Sequence, residues 1–178
     1  MNSPSIPTEL IRLLISMSDE QRADALNQFL SGLDRMLGIE FLSISDTSVY
    51  AKCEVSKHHL QVFGLVHGGV YASLAETCCS TGAAISVLAD QRNVVGRSNY
   101  TEFRKAAREN ETLLIHAQFK ERISEKELSW NCRIYNEADV EFARSVVVLN
   151  VLEPNHVVGG DTLSVLGTEN LNIEPSDE

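Results

Sequence analysis

Gln61-Val62-Phe63-Gly64-Leu65-Val66-His67-Gly68-Gly69-Val70-Tyr71-Ala72-Ser73-Leu74-Ala75-Glu76-Thr77-Cys78-Cys79-Ser80-Thr81-Gly82-Ala83-Ala84 leads a glycine-rich turn, His67-Gly68-Gly69, directly into a helix. From Val70 onward roughly eighteen residues contain no Pro and a single Gly, and Ala, Leu, Val, Cys, Ser and Thr dominate them. A segment of that kind is helical, and side chains that are small nearly all the way round suit a helix approached closely on several sides. Inside it stands one carboxylate, Glu76. A charge among apolar neighbours is costly unless it is paired or used, which makes Glu76 the first candidate for a functional group.

The helix starts at Gly68 or Gly69, where unpaired backbone N–H groups and the positive end of the helix dipole can receive an oxyanion. Glycine also lets a substrate carbonyl approach the backbone. Glu76 lies eight residues beyond Gly68, about 12 Å of helix rise. One helix therefore cannot bring its own Glu76 carboxylate and its own Gly68 amide to the same carbonyl carbon. If the two act together, the second comes from another copy of the chain, and the spacing predicts a homodimer with two such helices antiparallel.

Gln-x-Phe-Gly-x-x-His-Gly-Gly, followed by Leu-Ala-Glu and a hydroxyl residue one turn later, resembles the hot-dog-fold acyl-CoA thioesterases. The likeness is greatest to the branch of the 4-hydroxybenzoyl-CoA and 1,4-dihydroxy-2-naphthoyl-CoA enzymes, with the phenylacetate-pathway enzymes further off. The resemblance implies that Glu76 is nucleophile or general base and that the Gly68 amide polarises the thioester carbonyl. It gives His67 and Gly69 a part in shaping that pocket, sets Gln61 near the carbonyl or the attacking water, and has Ser80 orient the water or the carboxylate. Lys105 and Arg108, in Lys105-Ala106-Ala107-Arg108-Glu109-Asn110, match basic residues that meet CoA phosphates in the family, although the Pro and Gly of the family's segment are missing here. Glu102 stands where the family often has Asn. Phe63, Tyr71 and Tyr100 are candidates for lining an acyl pocket, or equally for the core.

Composition bounds the partners. A net charge of −10 and a pI near 4.9 argue against non-specific nucleic-acid binding and against an anionic membrane surface. CoA is itself a polyanion and needs a local basic patch; seven of the fifteen Lys and Arg residues fall between positions 97 and 126, together with five Glu. Cys53, Cys78, Cys79 and Cys132 lack Cys-x-x-Cys spacing and read as reduced core residues. His58 and His59 have no partners at ligand spacing, so no metal is expected, and no cofactor. The start of the chain lacks the pattern of a signal peptide, which gives a cytoplasmic expectation.

In chain order, Thr8 begins a short helix, and Ser18-Asp19-Glu20-Gln21 is a capping box opening a second one whose apolar residues recur through Leu37. Two early strands follow, then the central helix, then four consecutive strands. The expected fold is α+β: an antiparallel sheet of about five to six strands which, by resemblance, wraps a long central helix. The expected organisation is an N-terminal helical extension over 1–36, a hot-dog domain over 37–153 and a mobile acidic tail over 154–178. The reading is hydrolysis of an acyl-CoA thioester by a homodimer or, by analogy, a dimer of dimers. Its rivals are a non-catalytic acyl-CoA-binding or sensor protein and a hot-dog dehydratase or hydratase.

Overall fold

The computed structural model describes residues 8–154, 156–158 and 161–162. Three short helices come first: α1 (Thr8–Ser16), α2 (Asp19–Phe29) and α3 (Gly32–Met36). Strands β1 (Ile39–Ile44) and β2 (Ser48–Glu54) precede the long helix α4 (Gly68–Val87). Strands β3 (Asn93–Phe103), β4 (Thr112–Ser124), β5 (Glu127–Tyr135) and β6 (Glu141–Leu152) complete the order. Most of the tail expected over 154–178 lies outside the described residues. Within it Val157–Val158 and Asp161–Thr162 pair as a small antiparallel ladder.

The capping box at Ser18 is present, with its hydroxyl accepting from the Gln21 amide and the Gln21 side chain accepting from the Ser18 amide. The single helix expected from Ser18 to Leu37 is instead two. Leu30 leaves the helix (ψ 128°), Ser31 stays extended as the N-cap of α3, and Gly32, the first residue of α3, takes a left-handed φ of +53° that favours glycine. Asp34 on α3 then accepts a 2.7 Å hydrogen bond from Thr77 of α4, tying the extension to the central helix.

Six antiparallel strands form one sheet in the order β1-β2-β4-β5-β6-β3. Side-chain alternation creates its inner face. One row across it runs Phe41, Ala51, Ile115, Ile134, Ala143 and ends at Phe103; the next runs Ile44, Val49, Ala117, Cys132, Ser145 and ends at Thr101. In both rows every residue inward of β3 is buried. The α4 residues Tyr71, Leu74, Ala75, Cys78, Cys79, Gly82, Ala83 and Val87 are buried too, and the helix touches all six strands. By length and composition α4 is apolar enough to span a membrane, a test that the core helix of a folded domain also passes, and eight of its residues are buried.

Small residues on α4 permit this close wrap. A Cβ on Gly82 would lie 2.4 Å from the Trp130 ring of β5. All four cysteines are free and buried in this core. Burial, with the neighbouring Glu54 charge, pushes the Cys53 thiol up to about 11.

Strand β3 pairs only with β6, so its other edge is open among the described residues. It carries a bulge between Gly96 and Ser98. Both features position the site.

Candidate active site

At the start of α4 the backbone donors are used selectively. His67 caps the helix: its imidazole Nδ1 accepts from the Gly69 N–H at 2.9 Å, and its carbonyl accepts from the Val70 N–H. Val66 N–H donates to the Ala107 carbonyl and His67 N–H to the His59 carbonyl. Of the five consecutive amides from Val66 to Val70, Gly68 alone has no acceptor among the described residues. A free N–H at the positive end of a twenty-residue helix is suited to an oxyanion.

That amide opens on a cavity of about 350 Å³ lined by Gln61, Val66, Gly68, Tyr71, Phe103, Arg104, Lys105 and Ala106. Gln61 belongs to a tight turn closed by its N–H on the Leu65 carbonyl and by Gly64 N–H on its own carbonyl. The Phe103 ring lies over Gly68, where a Cβ would come within 2.8 Å of it. Tyr71 stacks on Phe142 and meets Phe103 at a tilt, with ring centroids 6.5 and 6.2 Å away, and its hydroxyl accepts from the Ala107 amide. Burial raises the Tyr71 hydroxyl above the ordinary tyrosine value, partly offset by the Ala107 amide.

Glu76 sits two turns further along α4 and is half-buried. Its Oε2 accepts from Asn99 Nδ2 at 2.9 Å, and its Oε1 accepts a longer 3.4 Å bond from Ser80 Oγ. The carboxylate lies against the backbone of β3, since a Cβ on Gly96 would be 2.3 Å from Oε1. Strand β3 thus runs beside α4 in the opposite sense, with Asn99 at Glu76 and Phe103 at Gly68. Four strand residues, about 13 Å, match the eight helical residues between the two groups.

The expected residues therefore fall into two groups in one chain. Gln61, Gly68, Tyr71 and Lys105 surround the cavity, with His67 and Gly69 forming the cap beside it; Glu76 and Ser80 lie together further along. Phe63, at 78% exposure, and Tyr100, at 66%, do not line the cavity. Arg108 is exposed just beyond Ala107, and its backbone N–H donates to Glu111 Oε2. Lys105 and Arg108 form no ion pair among the described residues, whereas Arg104 pairs with Glu102 and Arg97 with Glu127.

Sequence reasoning did not find Gly96, Asn99 or Phe103. A lone glycine within a strand pattern was the available signal, because such a glycine often marks a bulge or a close approach of another element.

An antiparallel sheet wrapped around one long helix, with a mid-helix carboxylate and a free N-terminal amide along the open sheet edge, is the hot-dog fold. Comparison with known proteins agrees. The family model described as Thioesterase superfamily matches residues 63–143. The 1,4-dihydroxy-2-naphthoyl-CoA hydrolase of Listeria monocytogenes is 40% identical over 60 residues, which are 34% of this chain and 49% of that protein. The chain thus spans about half the length of the curated relatives that it matches. The crystal structure of S. sahachiroi AziG superposes with a TM-score of 0.65 at 30% identity, over 70% of this chain and 98% of that one. Thioesterase HI1161 from Haemophilus influenzae gives 0.67 at 25% identity, over 74% and 90%. Over residues 63–143 the chain matches the Thioesterase superfamily, and its fold is that of the named thioesterase structures it superposes on.

Proposed function

We propose that this protein hydrolyses an acyl-CoA thioester to the free acid and CoA thiol, with each active site assembled from two copies of the chain. The observation that carries this reading is the pairing of one unspent amide, Gly68, with a donor-held carboxylate, Glu76, too far along the same helix to share a substrate with it. Both lie beside β3, whose outer edge is open among the described residues. A two-fold axis across that edge brings Gly68 of one copy towards Glu76 of the other, and conversely.

In this arrangement the thioester oxygen accepts from the Gly68 N–H while the acyl group enters the cavity beside Tyr71 and Phe103. Glu76 removes a proton from water as the water oxygen bonds to the carbonyl carbon. The tetrahedral oxyanion then collapses, the C–S bond breaks, and the thiolate takes the proton from the Glu76 carboxyl. Direct attack by Glu76 followed by hydrolysis of the anhydride yields the same products. Single turnover in 18O-water bears on the choice: label in Glu76 establishes the anhydride route with water attacking the Glu76 carbonyl, because general-base hydrolysis labels only the product acid. Lys105 and Arg108, without an ion pair among the described residues, are the cations offered to the CoA phosphates, and we assign the enzyme to the cytoplasm.

Thiol release from a panel of aromatic, short-chain and long-chain acyl-CoAs tests the reading. Wild type should turn over at least one class, and Glu76→Ala should lose about 10²- to 10⁴-fold in kcat, the usual worth of a positioned acid–base group. Saturable binding without thiol release would favour the sensor reading, and loss of water without thiol release would favour a dehydratase.

A further inference from the structure

We infer that Asn99 is a positioning residue for the Glu76 carboxylate, and that Thr101 and the buried Ser145 fix its orientation. The inference rests on the proposed role of Glu76 and adds to it the device that holds that carboxylate.

Asn99 Nδ2 donates to Glu76 Oε2 at 2.9 Å and to the Ala72 carbonyl at 3.0 Å, which uses both amide hydrogens. Its Oδ1 accepts from Thr101 Oγ1 at 2.7 Å. Thr101 Oγ1 and Ser145 Oγ are 2.8 Å apart. Thr101 has a single hydroxyl proton, committed to Asn99, so Ser145 must donate to Thr101. The protons then all run one way, from Ser145 to Thr101 to Asn99 to Glu76. Reversing the Asn99 amide would set its oxygen against a carbonyl and a carboxylate, neither of which can donate. Chemistry alone therefore fixes which end faces Glu76.

The backbone is shaped for the same purpose. Gly96 and Asn99 are three residues apart, an odd offset that in a regular strand places them on opposite faces. The bulge between Gly96 and Ser98 adds one residue, so both face α4. Gly96 then leaves room for Oε1, and Asn99 reaches Oε2. At the far end, Ser145 is 0% exposed in the row beneath α4, anchoring the chain of hydrogen bonds in the core.

The test uses kcat and KM for thiol release together with crystal structures of the variants. Asn99→Ala should lower kcat by about 10- to 100-fold with KM little changed, because a misplaced catalytic group costs rate rather than binding. Asn99→Asp, innocuous at an ordinary exposed strand position, should be at least as slow, since it turns an acceptor towards a carboxylate. Thr101→Val should lower kcat less, and the double variant Asn99→Ala/Thr101→Val should be no slower than Asn99→Ala, because Thr101 acts only through Asn99. If Glu76→Ala is inactive while Asn99→Ala or Asn99→Asp keeps wild-type kcat, the inference fails and the proposed function stands. If Glu76→Ala retains turnover, or wild type has none, the proposed function fails. The crystal structures then decide the positioning role: a Glu76 carboxylate unmoved in Asn99→Ala overturns it, and a displaced one upholds it.

Discussion

Two glycines with the same lack of a side chain serve different ends, and alanine distinguishes them. At Gly96 the added Cβ would meet the Glu76 carboxylate at 2.3 Å, whereas at Gly82 it would meet the buried Trp130 ring at 2.4 Å. The carboxylate is the far end of a side chain in a half-open site and can swing away; the indole is 0% exposed and cannot. Gly96→Ala should therefore leave the urea midpoint unchanged or slightly raised while kcat falls by as much as about 10²-fold, the cost of displacing a catalytic group by an ångström. Gly82→Ala should do the reverse, losing about 1–3 kcal/mol of stability through overpacking, with the folded fraction retaining its kcat. Parallel urea denaturation and thiol-release assays check the pair. Equal losses of stability in both variants would mean that Glu76 is held as rigidly as Trp130, and the packing contrast would be wrong.

At the scale of the element, α4 depends on its first turn. His67 meets the Gly69 amide through Nδ1, so its neutral ring carries the proton on Nε2. His67→Ala removes that acceptor and should cost about 0.5–2 kcal/mol, the range for a lost N-cap. His67→Asn supplies a shorter acceptor at the same position and should recover most of it, as denaturation midpoints will report. The start of α4 at Gly68 was legible in the sequence because two glycines leading into a long apolar run without proline allow few alternatives. The strands of β2, β4 and β5 were legible for a related reason: their strict alternation leaves one face for the core. Two things were hidden. Apolar spacing from Ala23 to Leu37 continued across Ser31-Gly32, and periodicity does not register that Leu30 leaves the helix there. Asn99 was hidden by the bulge, since counting alternate residues from Gly96 assigns it to the wrong face. Local patterns carry local structure, but a one-residue register shift is set by the contact of β3 with α4 and β6, which no window of sequence contains.

At the scale of the whole molecule, the two halves of the site follow from one topological fact: β3, last in the order of the sheet, has an outer edge beside the central helix that is unpaired among the described residues. That edge presents Asn99 at Glu76 and Phe103 at Gly68, in opposite order to the helix. Antiparallel apposition of two such edges is therefore self-complementary for catalysis as well as for hydrogen bonding. Complementation between inactive chains tests this directly. Gly68→Pro removes the one proposed oxyanion donor at a position suited to it. Proline is favoured at the first residue of a helix, and His67 already has the extended backbone (φ −67°, ψ 134°) that a following proline requires. The Phe103 ring, 59% exposed, can move outward from the new ring. Glu76→Ala removes the carboxylate. Each variant alone should be inactive. When the two are mixed and allowed to exchange subunits, half of the dimers are mixed, and each mixed dimer has one site with both groups intact and one with neither. Activity should return to about a quarter of wild type, in proportion to the mixed dimer measured by native mass spectrometry. A mixture that forms mixed dimers yet stays inactive would mean that Gly68 and Glu76 of a single chain must both be intact for turnover, and the two-copy site would have to be abandoned.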